Sequence, residues 1–211
     1  MRQTLTSSLR TLYWVAGAIA FTLVSQSSQA QEPAGATAHA FAEQVKNELI
    51  AVIKKRDSIV SDQGADKYYD AVEHVLDPVV DFNFIARGVM GKFAEGATPE
   101  QQAKFTEIFR RSLVATYANG MAGYVDHEIV VVPPKSEVGN ARSVSVGLEV
   151  RNGDSVNRLS FSLMKRTEDW KLTNMILNGV NFGLVLRSQF AQAMQKNNNN
   201  IDAVINSWSG A

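Results

Sequence analysis

Up to Asn119-Gly120 the apolar residues return every three or four positions, and from there to Leu177 they return every second one. A period near 3.6 belongs to a helix with one buried stripe and a period of 2 to a strand with one buried face, so a chain that switches between them is held to helices followed by a sheet. Phe41, Val45, Leu49, Val52 and Ile53 predict a helix over about 38–60, broken by Ser61-Asp62-Gln63-Gly64. Tyr69, Val72, Val75 and Leu76 predict a second, which ends before Pro78 because the residue preceding proline avoids the helical region. Asp81 to Lys92 is a third, short stretch. Thr98-Pro99-Glu100-Gln101 carries a threonine N-cap, a proline at the first helical position and a glutamine that closes a capping box. The helix it opens runs to about Asn119, with Phe105, Ile108, Phe109, Leu113 and Tyr117 on its apolar face.

In the second half, the β-branched run Ile129 to Val132 is ended by Pro133-Pro134. Val144, Val146, Leu148 and Val150 alternate with Ser143, Ser145, Gly147 and Glu149; Leu159, Phe161 and Leu163 alternate with Arg158, Ser160 and Ser162. The turn signal Asn152-Gly153-Asp154 between these runs predicts an antiparallel hairpin. Thr167-Glu168-Asp169 leads into a last strand, Trp170 to Leu177, followed by a helix over Asn181 to Gln195, a polar spacer Asn197 to Asn200, and an amphipathic stretch carrying Ile201, Val204, Ile205 and Trp208. Helices, a meander of strands, then helices again make an α+β domain. No internal repeat is visible.

The first thirty residues stand outside this pattern. Arg2 and Arg10 precede a mostly apolar run from Leu12 to Val24, and Ser28-Gln29-Ala30 supplies small residues where a signal peptidase cuts. The run falls short of the roughly 20 residues that a bilayer span needs, so the expectation is a secretory signal peptide over 1–30, cleaved after Ala30. A single domain, 31–211, would then be exported to a bacterial periplasm and be soluble there. Two separated arginines point to the general secretory route rather than the twin-arginine one.

Composition removes whole classes of chemistry. There is no cysteine, hence no disulfide scaffold, thiolate nucleophile, thiolate zinc site or lipobox anchor. Lys and Arg balance Asp and Glu at 21 each, without the basic excess of a nucleic-acid binder. His39, His74 and His127 are far apart and in no metal-binding spacing; the ligand types in Asp126-His127-Glu128 would alternate between the faces of a strand. Gly91-Lys92 lacks the rest of a phosphate loop, and no nucleophile elbow occurs. Neither a catalytic constellation nor a metal or cofactor site is predicted. What the chain has in quantity is an apolar strand face opposite aromatic-rich helices, which is either a closed core or the wall of a pocket for an apolar ligand. Pattern alone leaves both open.

Two stretches carry a resemblance. Val80-Asp81-Phe82-Asn83-Phe84-Ile85-Ala86-Arg87-Gly88-Val89-Met90-Gly91-Lys92-Phe93, with Ala97-Thr98-Pro99-Glu100-Gln101 and the Phe105 to Tyr117 helix after it, resembles the MlaC/toluene-tolerance family of periplasmic phospholipid-binding proteins. Trp170-Lys171-Leu172 through Gly179-Val180 to Leu186-Arg187-Ser188-Gln189-Phe190 is similar to that family's last strand, turn and following helix. The chain departs from the family at Asn83, Gly88, Asn178 and Leu186, where a charged or larger polar group is usual.

The resemblance implies a soluble carrier that shuttles phospholipids between an outer-membrane lipoprotein–porin complex and an inner-membrane ABC transporter complex with its lipid-binding subunit, maintaining outer-membrane lipid asymmetry. The cargo would be phospholipid, with no cofactor, no catalysis and no nucleic-acid partner. The implied fold is a twisted antiparallel sheet of about four strands, like that of nuclear transport factors, covered by helices that enclose an apolar pocket. Lining candidates are Val144, Val146, Leu148, Leu159, Phe161 and Leu163 on the strands and Phe105, Phe109, Leu113 and Tyr117 on the capped helix. Arg87, Arg110 and Arg187 are candidates for headgroup or partner contact. Two other readings stand beside this one: a ligand-free periplasmic adaptor with a filled core, and a cone-fold isomerase or hydrolase, which would need an acid at an inward strand position where Glu149 alternates outward.

Overall fold

A computed structural model describes residues 34–134, 141–167 and 169–209; the expected signal peptide lies outside them, as does Glu168 of the turn before the last long strand. Helix α1 spans Ala34–Ile53, α2 Arg56–Gln63, α3 Ala65–Leu76, α4 Phe82–Met90 and α5 Pro99–Ala122, with a short 3-10 turn at Gly91–Ala94 after α4. Strands β1 (Glu128–Val131), β2 (Ser143–Asn152), β3 (Ser155–Arg166), β4 (Asp169–Leu177) and β5 (Val180–Asn181) follow, then α6 (Phe182–Lys196) and α7 (Ile201–Ser207). The strands form one antiparallel sheet in the order β1-β2-β3-β4-β5.

Local chemistry sets most boundaries. The predicted capping box is formed: Gln101 N–H donates to Thr98 Oγ1 at 3.2 Å and Thr98 N–H to Gln101 Oε1 at 3.0 Å, satisfying two backbone donors at the start of α5. Asp81, Asn181 and Asn200 cap α4, α6 and α7 in the same way through their side-chain oxygens. Where one helix was expected over about 38–60, there are two, parted at Lys54-Lys55. Leu49 and Val52 of α1 and Ile59 and Val60 of α2 pack against one cluster centred on Tyr68 and Val72, and a straight helix would carry the later pair past it. Strand β5 was not expected. It is created by the Asn178-Gly179 turn, where φ is +49° and +84°, the pair of left-handed conformations that lets a two-residue turn match the twist of its strands.

Strand β4 holds a second departure from simple alternation. Ser162 lies opposite Asn174 and Leu163 opposite Leu172, so Thr173 is an extra residue in the ladder, a β-bulge, with its Oγ1 donating to Ser162 O at 3.0 Å. The bulge switches which positions of β4 face inward. Trp170 and Leu172 face the same side as Leu163 before it, and Met175 and Leu177 face the same side as Phe161 and Leu159 after it.

The interior has three parts. Phe82, Ala86, Val89 and Met90 of α4, Phe105 and Phe109 of α5, Leu186, Phe190 and Met194 of α6, and Val204 and Ile205 of α7 form a helical core. Tyr68, Val72, Val114 and Ala118 form another, in which the buried Tyr68 hydroxyl donates to Ala118 O at 2.8 Å. In the third, Ala34, Ala38 and Ala42 of α1 lie on the apolar face of the sheet. Helix α5 contributes to the first two, which makes it the beam on which both helical layers rest.

Candidate functional site

The six strand candidates are three cross-strand pairs: Val144 opposite Leu163, Val146 opposite Phe161, and Leu148 opposite Leu159. Directly opposed residues of an antiparallel pair share a face, so alternation alone gathers them into one apolar block. Register then extends it. One row runs across all five strands as Val131, Leu148, Leu159, Leu177 and Val180, and a second as Val146, Phe161 and Met175. The opposite face is polar, with Ser145 and Ser160 sharing a hydrogen bond at 2.8 Å. Glu149 lies on that polar face, where the hydrogen bond from Arg151 at 2.7 Å, with help from Arg158, holds its carboxyl below the usual range. It is therefore not an acid directed into the apolar site.

Val144, Val146, Leu148 and Leu163 are buried while Leu159 and Phe161 are half-covered. What covers them is the start of α1, with Ala34, Ala38 and Ala42 set against the sheet and Phe41 beside them. Two polar contacts fix this segment: Trp170 Nε1 donates to Thr37 Oγ1 at 3.1 Å, and His39 Nε2 lies 3.2 Å from Val131 O at the free edge of β1.

The four α5 candidates divide. Phe105 and Phe109 have no exposed surface and sit in the helical core, where the Phe105 ring meets Phe109 at 5.6 Å, Phe190 at 5.0 Å and Trp208 at 5.4 Å. Leu113 is half-buried beside that core. Tyr117, nearer the C-terminus of α5, meets Phe182 edge-on at 6.0 Å, and burial pushes its phenol above the ordinary range. Sequence patterning missed Val131, Trp170, Leu172, Phe182 and the α1 alanines. Trp170 and Leu172 lay inside a recognised apolar run, but the bulge that orients them leaves no mark in the period; alanines carry no apolar signal strong enough to place.

The three arginines lie apart from the sheet face. Arg110 Nη1 donates to both carboxylate oxygens of Asp77 at 2.9 and 3.0 Å, lies 3.3 Å from Glu73, and its other nitrogen bonds Glu107. It balances three carboxylates that join α3 to α5. Arg110→Gln is therefore expected to cost about 1 kcal/mol or more, and Arg111→Gln, which loses one exposed pair with Glu107, under about 0.5 kcal/mol; urea melts of the two variants would show it. Asp77, Asp81, Glu107, Arg110, Arg166 and Lys171 border a surface cleft of about 510 Å³, and Arg87 borders a smaller one of about 320 Å³ with Asn83 and Thr106. Arg187 is exposed and folds over Gly91, where a β-carbon would come within 2.6 Å of its Nε. Among the described residues no group of metal-ligating side chains is gathered.

The chain resembles known proteins in sequence and in fold. A family model described as "MlaC protein" matches residues 43–210. The toluene tolerance protein ttg2D of Pseudomonas putida is 36% identical over 179 residues, covering 84% of this chain and 82% of that one. A phospholipid-binding protein of Ralstonia solanacearum, solved in complex with a phospholipid, has the same fold, with a TM-score of 0.71 at 23% identity over 80% of this chain and 93% of that one.

Proposed function

Because the chain belongs to the MlaC family, we propose that it is a soluble phospholipid carrier of the periplasm, exported by its N-terminal leader and holding acyl chains between the sheet and the helices. The observation that carries this reading is the apolar row crossing all five strands on one face of the sheet, opposite a polar face. A closed core needs such a face too, but this one is roofed by alanines rather than by large interdigitating side chains, and its outer members are half-covered.

Energetics define what a carrier of this kind has to do. At about 0.8 kcal/mol per methylene, one sixteen-carbon chain in water is unfavourable by on the order of 12 kcal/mol, so the tails have to be enclosed. Headgroup contacts can be few, and none of the reaction chemistry of an enzyme is required. Val144, Val146, Leu148, Leu159, Phe161 and Leu163 are assigned to tail contact, with Leu113 and Tyr117 on the helical side. In this reading, cargo is exchanged with an outer-membrane lipoprotein–porin complex and an inner-membrane ABC transporter complex, as the family resemblance implies. Arg87 and Arg187, which form no ion pair among the described residues, are better placed than Arg110 for contact with a partner.

Organic extraction of the purified protein followed by mass spectrometry tests the reading. Diacyl phospholipid should be recovered in near-stoichiometric amount. A ligand bound by the native state alone, at a thousandfold excess over Kd, adds roughly 4 kcal/mol, so the stripped protein should melt several degrees lower and recover on re-addition of phospholipid but not of glycerophosphate. Absence of lipid together with unchanged melting would instead favour the ligand-free adaptor.

A further inference from the structure

Most large apolar side chains of the described residues are covered, but Val180, Leu184 and Val185 are 52%, 59% and 39% exposed within a span of six residues. The exposure belongs to ordered elements. Val180 follows the left-handed Asn178-Gly179 turn, and the side chain of Asn181 caps α6 by accepting from Leu184 N–H at 3.1 Å, so the three aliphatic groups are presented by a tight turn and the first helical turn. Phe182, between them, turns inward onto Tyr117. The row Val131, Leu148, Leu159 and Leu177 on the inner face of the sheet ends at Val180. The exposed edge thus begins where the covered apolar row ends.

Along the chain, the charge on either side of this edge is one-sided. No charge of either sign stands between Lys171 and Arg187, and no carboxylate between Asp169 and Asp202, a stretch whose cations are Lys171, Arg187 and Lys196. Arg187 forms no ion pair among the described residues; Arg158, mostly exposed, flanks the turn through backbone hydrogen bonds with Asn178, while its guanidinium lies 3.4 Å from Glu149 on the polar face of the sheet. A surface that enters the boundary of a bilayer has to be free of charge at its tip, since charge there is costly, and gains from cations at its rim that meet anionic headgroups.

The geometry points to the β4–β5 turn and the first turn of α6 as a docking edge for an anionic phospholipid bilayer. On this edge, which rests on the carrier reading, the apolar row of the site meets hydrocarbon without an intervening layer of water. A tail can then pass between membrane and protein along Val180, Phe182 and Leu177.

The chain has no cysteine, so one introduced thiol can carry a probe. In Leu184→Cys labelled with an environment-sensitive fluorophore, emission should shift to the blue with vesicles of phosphatidylglycerol and phosphatidylcholine, and less with phosphatidylcholine alone. The same label at Ser145→Cys, on the polar face of the sheet, should not respond. Leu184→Asp should weaken vesicle association roughly tenfold or more, the effect of withdrawing one buried leucine. No shift at position 184, or an equal shift at 145, would overturn the proposal. So would an unresponsive position 184 in a protein whose Leu184→Asp variant fails to deliver lipid to native membranes, an outcome that assigns the edge to a protein partner. Lipid extraction from the same samples keeps the two readings apart: phospholipid present with no shift at 184 defeats the docking edge alone, whereas phospholipid absent defeats the carrier.

Discussion

Phe105→Ala should lower the stability of the protein by about 3–5 kcal/mol, the cost of emptying a phenyl site in a close-packed core, and leave its bound phospholipid in place. Phe105 has no exposed surface and touches the rings of Phe109, Phe190 and Trp208. It therefore joins α5, α6 and the residue that ends α7, and its removal leaves a cavity that three helices would have to shift to fill. For a domain of this size each kcal/mol moves the midpoint by about 2–4 °C, so calorimetry should show a fall on the order of 10 °C. Lipid content, measured by extraction below the lowered midpoint, separates the two roles that the sequence left open for this residue. Loss of lipid with little loss of stability would place Phe105 in the pocket rather than in the core.

The converse behaviour is expected of Val146→Trp. Val146 is buried at the centre of the apolar block, opposite Phe161 and between the pairs of Val144 and Leu148. An indole there occupies the volume in which an acyl chain is proposed to lie, so phospholipid occupancy should fall to near zero. Overpacking of this kind costs about 1–3 kcal/mol, which a folded domain survives, and circular dichroism with a melting curve would establish that it has. Phe161→Trp, at a half-covered position, provides a second obstruction with less strain if the first does not fold. Full lipid content in a folded Val146→Trp protein would remove the sheet face from the site.

The pairing of these two predictions reflects what periodicity can and cannot convey. Alternation along β2 and β3 located six residues, and the Asn152-Gly153-Asp154 turn fixed the register that sets them opposite one another; both are local properties of the chain. Phe105 and Tyr117 share the same helical pattern on α5, yet one ends in the helical core and the other against Phe182. A helix of 24 residues serving two cores has its faces divided by its neighbours, and neighbours are not written in its own period. The Thr173 bulge was invisible for a related reason: an extra residue in a ladder exists only relative to the partner strand. Arg110 was singled out as a cation near a matched motif, but its significance lies in Glu73 on α3 and Asp77 at its C-terminal end, more than thirty residues away in sequence. Capping, turns and strand faces were legible because each is settled within a few residues.

The roof over the sheet has one more implication. Ala34, Ala38 and Ala42 present a single methyl group each and have no rotamer freedom to lose when they dock, so the apolar part of this contact comes chiefly from the sheet's own side chains, with Thr37 and His39 adding the two polar ones. Lifting it uncovers Val144, Val146 and Leu148, and an acyl chain laid in its place covers the same groups again. In the carrier reading, loading would then exchange one apolar neighbour for another rather than fill a void, and the net gain on binding would be smaller than the full transfer of a tail out of water. A ferry that must also give up its passenger is served by such a cover, which keeps the empty berth from lying open to water.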